Sequence, residues 1–323
     1  MVFLRHALTL AVMAFALGCG SSSDTAAVDS GTPLDGSFDS AASDGAPSAD
    51  GALDAKPDTS ALVAARPFDL KVPTGYDKSK PTPLVVLLHG YTASGATQEA
   101  YLQLAPVADA KTFLYATPDG TQDSTGNRFW NATDACCNLD GIPVDDLAYI
   151  NAVIDDVEKK YNVDPKRIFL VGHSNGAFMA HRLACDSAPR IAAIAALAGD
   201  VWADASKCNP QSPVSVLQIH GTADAVIAYG GGKNANLAVY PSATASMATW
   251  SAKNGCAGTA TPGAPLDLES VLLGSETTTV EYKGCKPGGA ALLWSIQAGG
   301  HLPVFQPSFA TTMYGFLAAH PKP

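Results

Sequence analysis

A short strand-turn-helix segment near the middle of the chain constrains its fold more than any other feature. The pentapeptide Gly172-His173-Ser174-Asn175-Gly176 directly follows the apolar run 168–171, and residues 177–184 after it have a helical pattern. A serine at a sharp strand-to-helix turn has a strained backbone, and it needs glycines on both sides because the flanking chain passes close by. The helix that follows directs N–H groups towards negative charge beside the serine. The context favours a nucleophilic Ser174 over a plain glycine-rich loop.

Short apolar runs alternate with helical patterns along the rest of the chain. Residues 84–88 are continuously apolar, as expected for a strand that is covered on both faces. Helices are predicted at residues 97–110 and, most clearly, at 146–160, where Leu147 and Ile150 begin an apolar face. Further strands are predicted at residues 66–73, 112–116, 168–171, 191–197, 214–219 and 291–297. This alternation indicates an α/β fold with a mostly parallel central sheet and helices on both faces.

The first 19 residues are typical of an export signal. Arg5 precedes an apolar stretch at 7–17 that is too short to span a bilayer as a helix. The stretch ends in small residues followed by Cys19, a pattern that resembles the lipobox of bacterial lipoproteins, in which the cysteine becomes the lipidated N-terminus. An ordinary signal peptide with a coincidental Cys19 is the alternative. Both interpretations predict an exported protein. A lipidated Cys19 would also place the protein at a membrane surface.

Residues 20–62 are predicted to be a disordered tether, and residues 63–323 a single catalytic domain. Ser, Ala, Asp, Gly and Pro dominate the tether, which has no apolar periodicity with which to offset its ordering entropy. Its eight aspartates and one lysine carry −7 of the formal net charge of −10. The acidity therefore says little about partners of the folded domain. No basic patch or aromatic stripe favours nucleic-acid binding.

Six of the seven cysteines lie in the predicted catalytic domain. An even number in an exported chain predicts three disulfides, although sequence alone leaves 15 pairings open. We expect Cys256 to pair with Cys285, closing a long excursion before the last strand. Cys136 and Cys137 would then reach Cys185 and Cys208 in an unknown order, with a vicinal Cys136–Cys137 bridge as the strained alternative. No CxxC motif or nearby histidine pair indicates a metal site.

A nucleophilic serine requires a base and an acid that orients the base. In a fold of this kind the acid and then the histidine follow the serine along the chain, each at a strand end. Residues 216–219 lead into a loop that ends in Asp224, and residues 295–297 lead through two glycines to His301. We therefore predict a triad of Ser174, Asp224 and His301. Asp200 is the main rival acid and Asp204 a weaker one, whereas His89, His173 and His220 are expected to satisfy backbone groups.

Stabilising the oxyanion requires two backbone N–H groups that point at the developing charge. Asn175, the residue after the nucleophile, is expected to supply one of them. The other should come from the loop after His89-Gly90, most simply from Tyr91, with Thr92 as the next choice.

Five motifs in order resemble the secreted polyhydroxybutyrate-depolymerase-like esterases, a group that includes feruloyl and acetylxylan esterases. They are His89-Gly90, Val144-Asp145-Asp146, Gly172-His173-Ser174-Asn175-Gly176, His220-Gly221-Thr222-Ala223-Asp224 and Gly299-Gly300-His301. The resemblance covers residues 66–320 and implies an α/β-hydrolase fold with the triad Ser174, Asp224 and His301. Many members of the family carry an aromatic residue shortly after the histidine, where this chain has Leu302-Pro303. This departure leaves the leaving-group side of the pocket open. Asp146 is expected to cap the helix that it opens, with Asp145 as the alternative.

The sequence thus predicts an exported serine carboxylic-ester hydrolase that needs no metal or organic cofactor and acts as a monomer. Its substrate would be an ester of a plant cell-wall polysaccharide or a polyester. An exported serine peptidase with the same fold and a catalytically silent polymer-binding protein are the alternatives, because the fold alone supports several activities.

Overall fold

The computed structural model describes residues 60–234 and 237–323 of the chain. The predicted signal at residues 1–19, Cys19, and the predicted tether up to residue 59 lie outside the described residues. The first helix, α1, spans Ser60–Ala65. This helix crosses the boundary at residue 63 that composition predicts.

Strands and helices alternate through most of the described chain. The remaining helices are α2 (Gly95–Leu102), α3 (Leu104–Lys111), α4 (Asp146–Lys160), α5 (Asn175–Asp186), α6 (Ala243–Lys253) and α7 (Phe309–Ala319). The strands are β1 (Asp69–Lys71), β2 (Thr82–Leu88), β3 (Leu114–Thr117), β4 (Thr121–Gln122), β5 (Arg128–Phe129), β6 (Val163–His173), β7 (Ala193–Leu197), β8 (Ser215–Gly221), β9 (Gly232–Lys233), β10 (Val239–Tyr240), β11 (Ala260–Pro262), β12 (Thr277–Tyr282) and β13 (Ala290–Ile296). Within these residues no helix has both the length and the apolarity needed to cross a bilayer.

Nine strands form one twisted sheet in the order β1-β3-β2-β6-β7-β8-β13-β12-β11. The six strands from β3 to β13 in that order run parallel to their neighbours. Strand β1 at one edge and strands β12 and β11 at the other are antiparallel. The predicted α/β class with a mostly parallel sheet is confirmed. The carboxyl ends of the parallel strands lie at one edge of the sheet, where ligand sites form in folds of this kind.

The sheet has a buried apolar layer on each face. Leu84, Val86 and Leu88 of β2 belong to one core cluster, which α4, α5 and α6 cover. Val85 and Leu87 of the same strand belong to the other, which α2, α3 and α7 cover. Successive side chains of a strand point to opposite faces, so a strand covered on both sides has to be continuously apolar. This arrangement explains why residues 84–88 were recognisable and confirms the expected helices on both faces.

The helix predicted at residues 97–110 is divided in two at Gln103. Gln103 has a φ of 54°, in the left-handed region, and it ends α2 and precedes α3. The carboxylate of Glu99 accepts hydrogen bonds from the backbone N–H groups of Leu104 and Ala105, at 3.1 and 2.8 Å. A side chain of α2 thus satisfies the free N–H groups at the start of α3, which stabilises the break.

The expected cap of α4 is wrong by one residue. Asp145 is the cap, and its carboxylate accepts a hydrogen bond of 2.9 Å from the N–H of Ala148. Asp146 is fully buried and pairs with Arg66 at 2.7 Å, just after α1. Asp146 also accepts a hydrogen bond of 2.7 Å from the N–H of Asn131. Asp146 thus connects the segments that contain Arg66 and Asn131 to the start of α4.

The three disulfides are only partly those that the sequence predicts. Cys256 is bonded to Cys285, the expected pairing, across the excursion that contains β11 and β12. The expectation that Cys136 and Cys137 would reach Cys185 and Cys208 is wrong. Cys185 at the end of α5 is bonded to Cys208, and Cys136 is bonded to its neighbour Cys137. Once Cys185 and Cys208 have paired with each other, the adjacent cysteines have only one another.

Candidate active site

Ser174 lies at a sharp turn between β6 and α5. Its φ of 54° and ψ of −120° place a non-glycine residue in a strained region of backbone space. A Cβ on Gly172 would lie 2.2 Å from the carbonyl oxygen of Gly176, and one on Gly176 would lie 2.0 Å from that of Leu88. Both flanking glycines are therefore required by close approach of the chain. The N–H of Ser174 donates to the carbonyl of Leu197 at 2.8 Å, which anchors the turn to β7.

The structure brings together two of the predicted triad residues by a direct hydrogen bond. Nδ1 of His301 lies 2.7 Å from Oδ2 of Asp224. His301 and Ser174 line the same cavity, which has a volume of about 240 Å³. Asp224 follows β8 and His301 follows β13, two adjacent parallel strands. Both side chains therefore reach the carboxyl edge of the sheet, on which Ser174 also lies.

Asp224 is held as a carboxylate. Its Oδ1 accepts hydrogen bonds from the N–H groups of Val226 and Ile227, at 2.8 and 2.9 Å. Burial alone would raise its pKa, but hydrogen bonds from His220 and His301 lower the pKa well below its usual range. An ionised Asp224 fixes the proton of His301 on Nδ1 and leaves Nε2 as the basic nitrogen.

His173, inside the pentapeptide, holds the backbone of the His301 loop. Its Nε2 donates to the carbonyl oxygen of His301 at 3.1 Å. Burial lowers the pKa of His173 to about 4, so the ring is neutral at neutral pH. The rings of His173 and His301 are tilted against each other at 5.0 Å between centroids. The hydrogen bond from the neutral ring of His173 thus connects the turn at Ser174 to the loop that carries His301.

The N–H groups of Asn175 and Tyr91, the expected oxyanion donors, belong to residues close to Ser174. Asn175 is the first residue of α5, so its N–H has no acceptor within the helix. Within residues 60–234 and 237–323, the N–H of Tyr91 has no hydrogen-bond acceptor, whereas that of Thr92 donates to the carbonyl of Arg128 at 2.9 Å. The geometry therefore favours Tyr91 over Thr92. Tyr91 lines the cavity with Ser174, and its hydroxyl donates to Asp123 at 2.6 Å.

Side chains around Trp130 fix this part of the site. Oδ1 of Asn175 accepts from the N–H of Trp130 at 2.6 Å, and Nδ2 donates to the carbonyl of Trp130 at 3.0 Å. The indole N–H of Trp130 donates to the carbonyl of His89 at 3.0 Å. His89 accepts from the N–H of Gly120 at 2.8 Å, and burial lowers its pKa to about 4. As expected, His89 satisfies backbone groups, and through Trp130 it connects the two loops that carry the candidate donors.

His220 is a functional candidate, although its sequence context predicts backbone contacts alone. Its Nε2 donates to the carbonyl of Ile227 at 2.8 Å, as expected, but also lies 3.4 Å from Oδ2 of Asp224. Burial alone would lower its pKa, but the contact with Asp224 and the charge of Asp200 raise the pKa overall. The signal that would have identified His220 is its position four residues before Asp224 at the end of β8.

A chain of buried hydrogen bonds extends behind His220. The indole N–H of Trp250 donates to Nδ1 of His181 at 2.9 Å, and Nε2 of His181 then donates to Oε1 of Gln218 at 2.9 Å. The amide nitrogen of Gln218 donates to the carbonyl of Gly199 at 2.9 Å and lies 3.4 Å from Nδ1 of His220. Burial lowers the pKa of His181 to about 4, which agrees with the neutral tautomer that this order requires.

The rival acids occupy other environments. Asp200 is fully buried, accepts a hydrogen bond of 2.9 Å from Ser246, and has its pKa raised to about 6 by burial. Asp204 is exposed and caps the 3-10 turn Ala205–Lys207 by accepting from the N–H of Ser206 at 2.9 Å. The acid that His301 contacts is Asp224, as predicted, and not either rival. In the described part of the chain, no three His, Cys, Asp or Glu side chains are grouped as a metal ion would require.

The sequence is similar to a known protein family and to several proteins that are named as esterases. A sequence model of the family described as Phospholipase/Carboxylesterase matches residues 74–247. Feruloyl esterase B from Piromyces equi is 31% identical over 242 residues, which are 72% of this chain and 42% of that protein. Probable feruloyl esterase C from Aspergillus oryzae is 30% identical over 247 residues, which are 73% of this chain and 76% of that protein.

The extent of these similarities differs between relatives. The chain spans 42% of the length of Feruloyl esterase B and 42% of a putative esterase from Nocardia uniformis, less than half of either. Among solved structures, the acetyl xylan esterase from Aspergillus awamori has a TM-score of 0.55 and 16% identity to this chain. That match covers 76% of this chain and 93% of the solved chain. At such low identity the likeness concerns the fold.

Proposed function

The chain belongs to the phospholipase/carboxylesterase family of α/β-hydrolases, and from this premise we propose that it is a serine carboxylic-ester hydrolase. One observation carries the proposal. His301 makes a 2.7 Å hydrogen bond to Asp224 and lines the same cavity as Ser174, whose strained turn is that of a nucleophile. The names of the relatives, which are esterases, support the same reaction class.

The proposed reaction proceeds through an acyl-enzyme. Nε2 of His301 takes the proton of the Ser174 hydroxyl as Oγ attacks the ester carbonyl carbon. Nε2 then gives this proton to the leaving alcohol oxygen as the carbon–oxygen bond breaks. Water repeats the sequence on the acyl group and regenerates Ser174. Asp224 keeps the proton of His301 on Nδ1 and stabilises the cation that forms in both halves.

The N–H groups of Tyr91 and Asn175 are proposed to stabilise the oxyanion of both tetrahedral intermediates. Both are free of other acceptors in the described chain, and their loops are braced by Asp123 and Trp130. One such donor contributes roughly 3 kcal/mol of transition-state stabilisation in comparable sites. The proposed donor is the backbone N–H of Tyr91. The side chain of Tyr91 contributes only indirectly, because its hydrogen bond to Asp123 helps to fix the position of that N–H.

We propose substrates of the kind named for the relatives, namely feruloylated or acetylated plant polysaccharide, or alternatively a polyester of hydroxybutyrate type. A panel of methyl ferulate, acetylated xylan and short hydroxybutyrate esters separates these classes by relative kcat/KM. Peptide amides belong in the same panel, because their cleavage in place of esters would indicate a peptidase of the same fold.

A Ser174→Ala variant tests the mechanism directly. We expect it to lose hydrolysis of a p-nitrophenyl ester and to lose covalent labelling by a fluorophosphonate, while its circular dichroism and unfolding midpoint stay near those of the wild type. Hydrolysis at the wild-type rate by this variant would refute the mechanism. A wild-type protein that neither labels nor hydrolyses any ester would instead indicate a silent binding protein.

Export and anchoring are proposed from the sequence of residues 1–62. We propose that residues 1–19 direct export, that Cys19 carries a lipid, and that residues 20–62 separate a monomeric catalytic domain from the membrane surface. Mass spectrometry of the mature N-terminus tests the lipid, with Cys19→Ser as the matched variant. A mature chain that begins beyond Cys19 would show an ordinary signal peptide.

A further inference from the structure

A polar cavity lies apart from the cavity that Ser174 lines. Its volume is about 330 Å³. Its walls consist of residues 131–134, 138, 182, 186 and 202, and six of these eight residues are polar or charged. Among the described residues, none lines both this cavity and that of Ser174. The polar cavity is therefore a second candidate site.

Trp202 is the aromatic residue in the wall of the polar cavity. Its side chain is half-buried and packs against the apolar cluster that α4, α5 and α6 cover. Trp202 also lines a neighbouring cavity of about 330 Å³, to which the exposed side chains of Leu237 and Val239 contribute. The ring is thus supported by the core and borders open space in both cavities.

The segments around the polar cavity are tied to one another. The disulfide between Cys185 and Cys208 joins the end of α5 to the loop after β7 that carries Trp202. Nη1 of Arg182, also on α5, donates to the carbonyl of Ala132 at 3.2 Å and to that of the preceding residue at 2.5 Å. Three separate segments are thereby held in place before any ligand arrives. Such pre-organisation reduces the entropy lost on binding.

The charged groups of the polar cavity are paired, with carboxylates in excess. The carboxylates of Asp134 and Asp186 and the guanidinium of Arg182 line the cavity. The ammonium of Lys207 donates to Asp134, and Oδ2 of Asp186 lies 3.5 Å from Nε of Arg182. The excess of carboxylates in the wall disfavours an anionic ligand. A neutral ligand with hydroxyl groups still finds partners, because each carboxylate oxygen accepts more than one hydrogen bond.

Two segments that line the polar cavity start at residues in contact with the serine turn. The N–H of Ser174 donates to the carbonyl of Leu197 at 2.8 Å, and the loop after β7 begins there. The side chain of Asn175 makes two hydrogen bonds to the backbone of Trp130, which residues 131–134 follow. The two sites therefore belong to connected loops of one domain. A polymer is long enough to occupy both at once, whereas a small ester reaches only one.

A sugar unit matches the composition of the polar cavity. A sugar ring has C–H groups on its faces, and around its edge it has hydroxyls that both donate and accept hydrogen bonds. An aromatic ring suits the faces, and carboxylate, amide and guanidinium groups suit the hydroxyls. Beside Trp202 the cavity offers these three polar groups, from Asp186, Asn131 and Arg182. A polyester has no hydroxyls along its chain and would leave such groups unpaired, which is unfavourable.

We propose that the polar cavity is a second, non-catalytic binding site for an uncharged sugar unit of a polysaccharide, which stacks on Trp202. The inference rests on the proposed function for its choice of an ester-bearing polymer, and it favours a polysaccharide over a polyester. A polymer held at this site raises the local concentration of its own esters around Ser174.

Electrophoresis in gels that contain a polysaccharide tests binding directly. The Ser174→Ala protein is used, so that no ester is consumed in the gel. We expect de-esterified arabinoxylan, a neutral polymer, to retard it, and polygalacturonate, an anionic one, to leave its mobility unchanged. Adding Trp202→Ala should weaken the affinity for arabinoxylan by about fivefold or more, because a stacked ring is lost. Tyr282→Ala removes a half-buried ring of β12 outside both cavities and should leave the affinity unchanged.

Kinetics separate a binding role of Trp202 from a structural one. Trp202→Ala alone should lower kcat/KM for acetylated xylan by about fivefold or more, through KM, and leave both constants for p-nitrophenyl acetate unchanged. An equal fall with both substrates, or an affinity for arabinoxylan that is absent or insensitive to Trp202→Ala, would overturn the inference. A wild-type protein that arabinoxylan retards but that hydrolyses no ester would instead contradict the proposed function alone.

Oxidation by N-bromosuccinimide tests the site on the wild type and does not depend on the folding of a variant. The other three tryptophans, Trp130, Trp250 and Trp294, are at most 7% exposed, so Trp202 should react first. Peptide mass spectrometry should show slower oxidation of Trp202 when arabinoxylan is present. An oxidation rate that arabinoxylan leaves unaltered would contradict the assignment.

Discussion

Oδ2 of Asp224 lies 3.4 Å from Nε2 of His220, although the same oxygen already accepts the hydrogen bond of His301. The imidazole rings of two residues, one on β8 and one in the loop after β13, therefore contact the same carboxylate oxygen. Because Nε2 of His220 also donates to the carbonyl of Ile227, its proton stays on that nitrogen. His220 is placed to hold Asp224 in the position in which it contacts His301.

Replacing His220 should lower turnover without weakening substrate binding. In His220→Phe the ring area remains but the donor is lost, and a hydrogen bond to a charged group contributes about 1.5–3 kcal/mol. We expect kcat to fall by roughly tenfold or more for a p-nitrophenyl ester while KM stays within about twofold. Steady-state kinetics and the rate of fluorophosphonate labelling should fall together, since both depend on the reactivity of Ser174.

His220→Gln provides the test of mechanism, because its amide nitrogen replaces Nε2 as a donor. It should recover part of the lost kcat, whereas a purely structural role for the ring would favour Phe. His320→Gln, at the end of α7 and outside the cavity that Ser174 lines, is the control and should behave as wild type. A His220→Phe variant with unchanged kcat would show that His220 has no influence on Asp224.

The parallel core of the fold and its central site are the parts most accessible from sequence. Five strands are buried on both faces: β2, β6, β7, β8 and β13. Because of this burial, each of them contains a run of apolar residues that can be recognised in the sequence. Ser174, Asp224 and His301 each follow such a run, so their placement at one edge of the sheet follows from the order of the strands. Their chemical roles remain predictions for the Ser174 and His220 variants to test.

Other features depend on individual side-chain contacts and pairings, and the sequence pattern did not single them out. The division at Gln103 is stabilised by Glu99, and the vicinal Cys136–Cys137 bond follows from the pairing of Cys185 with Cys208. Strand β12, at residues 277–282, is mostly half-exposed and rich in threonine, so it has no apolar run to mark it. Such elements are fixed by tertiary packing, and local patterns carry little information about them.

Breaking the pair of Arg66 and Asp146 should destabilise the fold strongly. The Asp146 side chain is fully buried, Arg66 is 19% exposed, and the guanidinium also lies 3.5 Å from the centre of the Tyr149 ring. Arg66→Met leaves a buried carboxylate unpaired, which costs on the order of 3 kcal/mol of unfolding free energy. Urea titration measures the loss, and Arg66→Met combined with Asp146→Asn should recover part of it. Lys71→Met breaks a half-exposed pair with Asp109 and should cost less than about 1 kcal/mol; equal losses would contradict the argument.

The three disulfides should contribute unequally to stability. Cys185–Cys208 and Cys256–Cys285 close loops with sequence separations of 23 and 29, whereas Cys136–Cys137 closes none. In the chain-entropy description, a loop of this size restricts the unfolded state by roughly 3 kcal/mol. Replacing either long-range pair by serines should therefore lower the unfolding free energy by about that amount, and replacing the adjacent pair by less than about 1 kcal/mol. A larger loss for the adjacent pair, measured by the same urea titration, would mean that the bond stabilises the folded loop itself.

Asp200 gives the fold a dependence on pH whose sign is set by burial. Burial raises its pKa in the folded protein to about 6, above the usual value of about 3.9 expected in the unfolded chain. Below pH 4 the group is protonated in both states and costs nothing. As pH rises through 4 to 6, the unfolded chain releases the proton more readily than the folded one, so the free energy of unfolding falls. The cost is complete above about pH 6.

Asp200→Asn removes this titration and should therefore stabilise the protein increasingly as pH rises. Relative to the wild type, its unfolding free energy should gain up to about 3 kcal/mol between pH 4 and pH 7, because the pKa of Asp200 rises by about two on folding and a rise of one corresponds to about 1.4 kcal/mol. Urea titrations of both proteins at pH 4, 5, 6 and 7 measure the difference, which cancels other groups that titrate. Asp204→Asn is the control: hydrogen bonds from Ser206 lower the pKa of the exposed Asp204 below its unfolded value, so this group titrates at or below about pH 4 and its difference should stay nearly flat between pH 5 and pH 7. A difference for Asp200→Asn that is flat across this range would mean that Asp200 is not destabilised as a buried carboxylate.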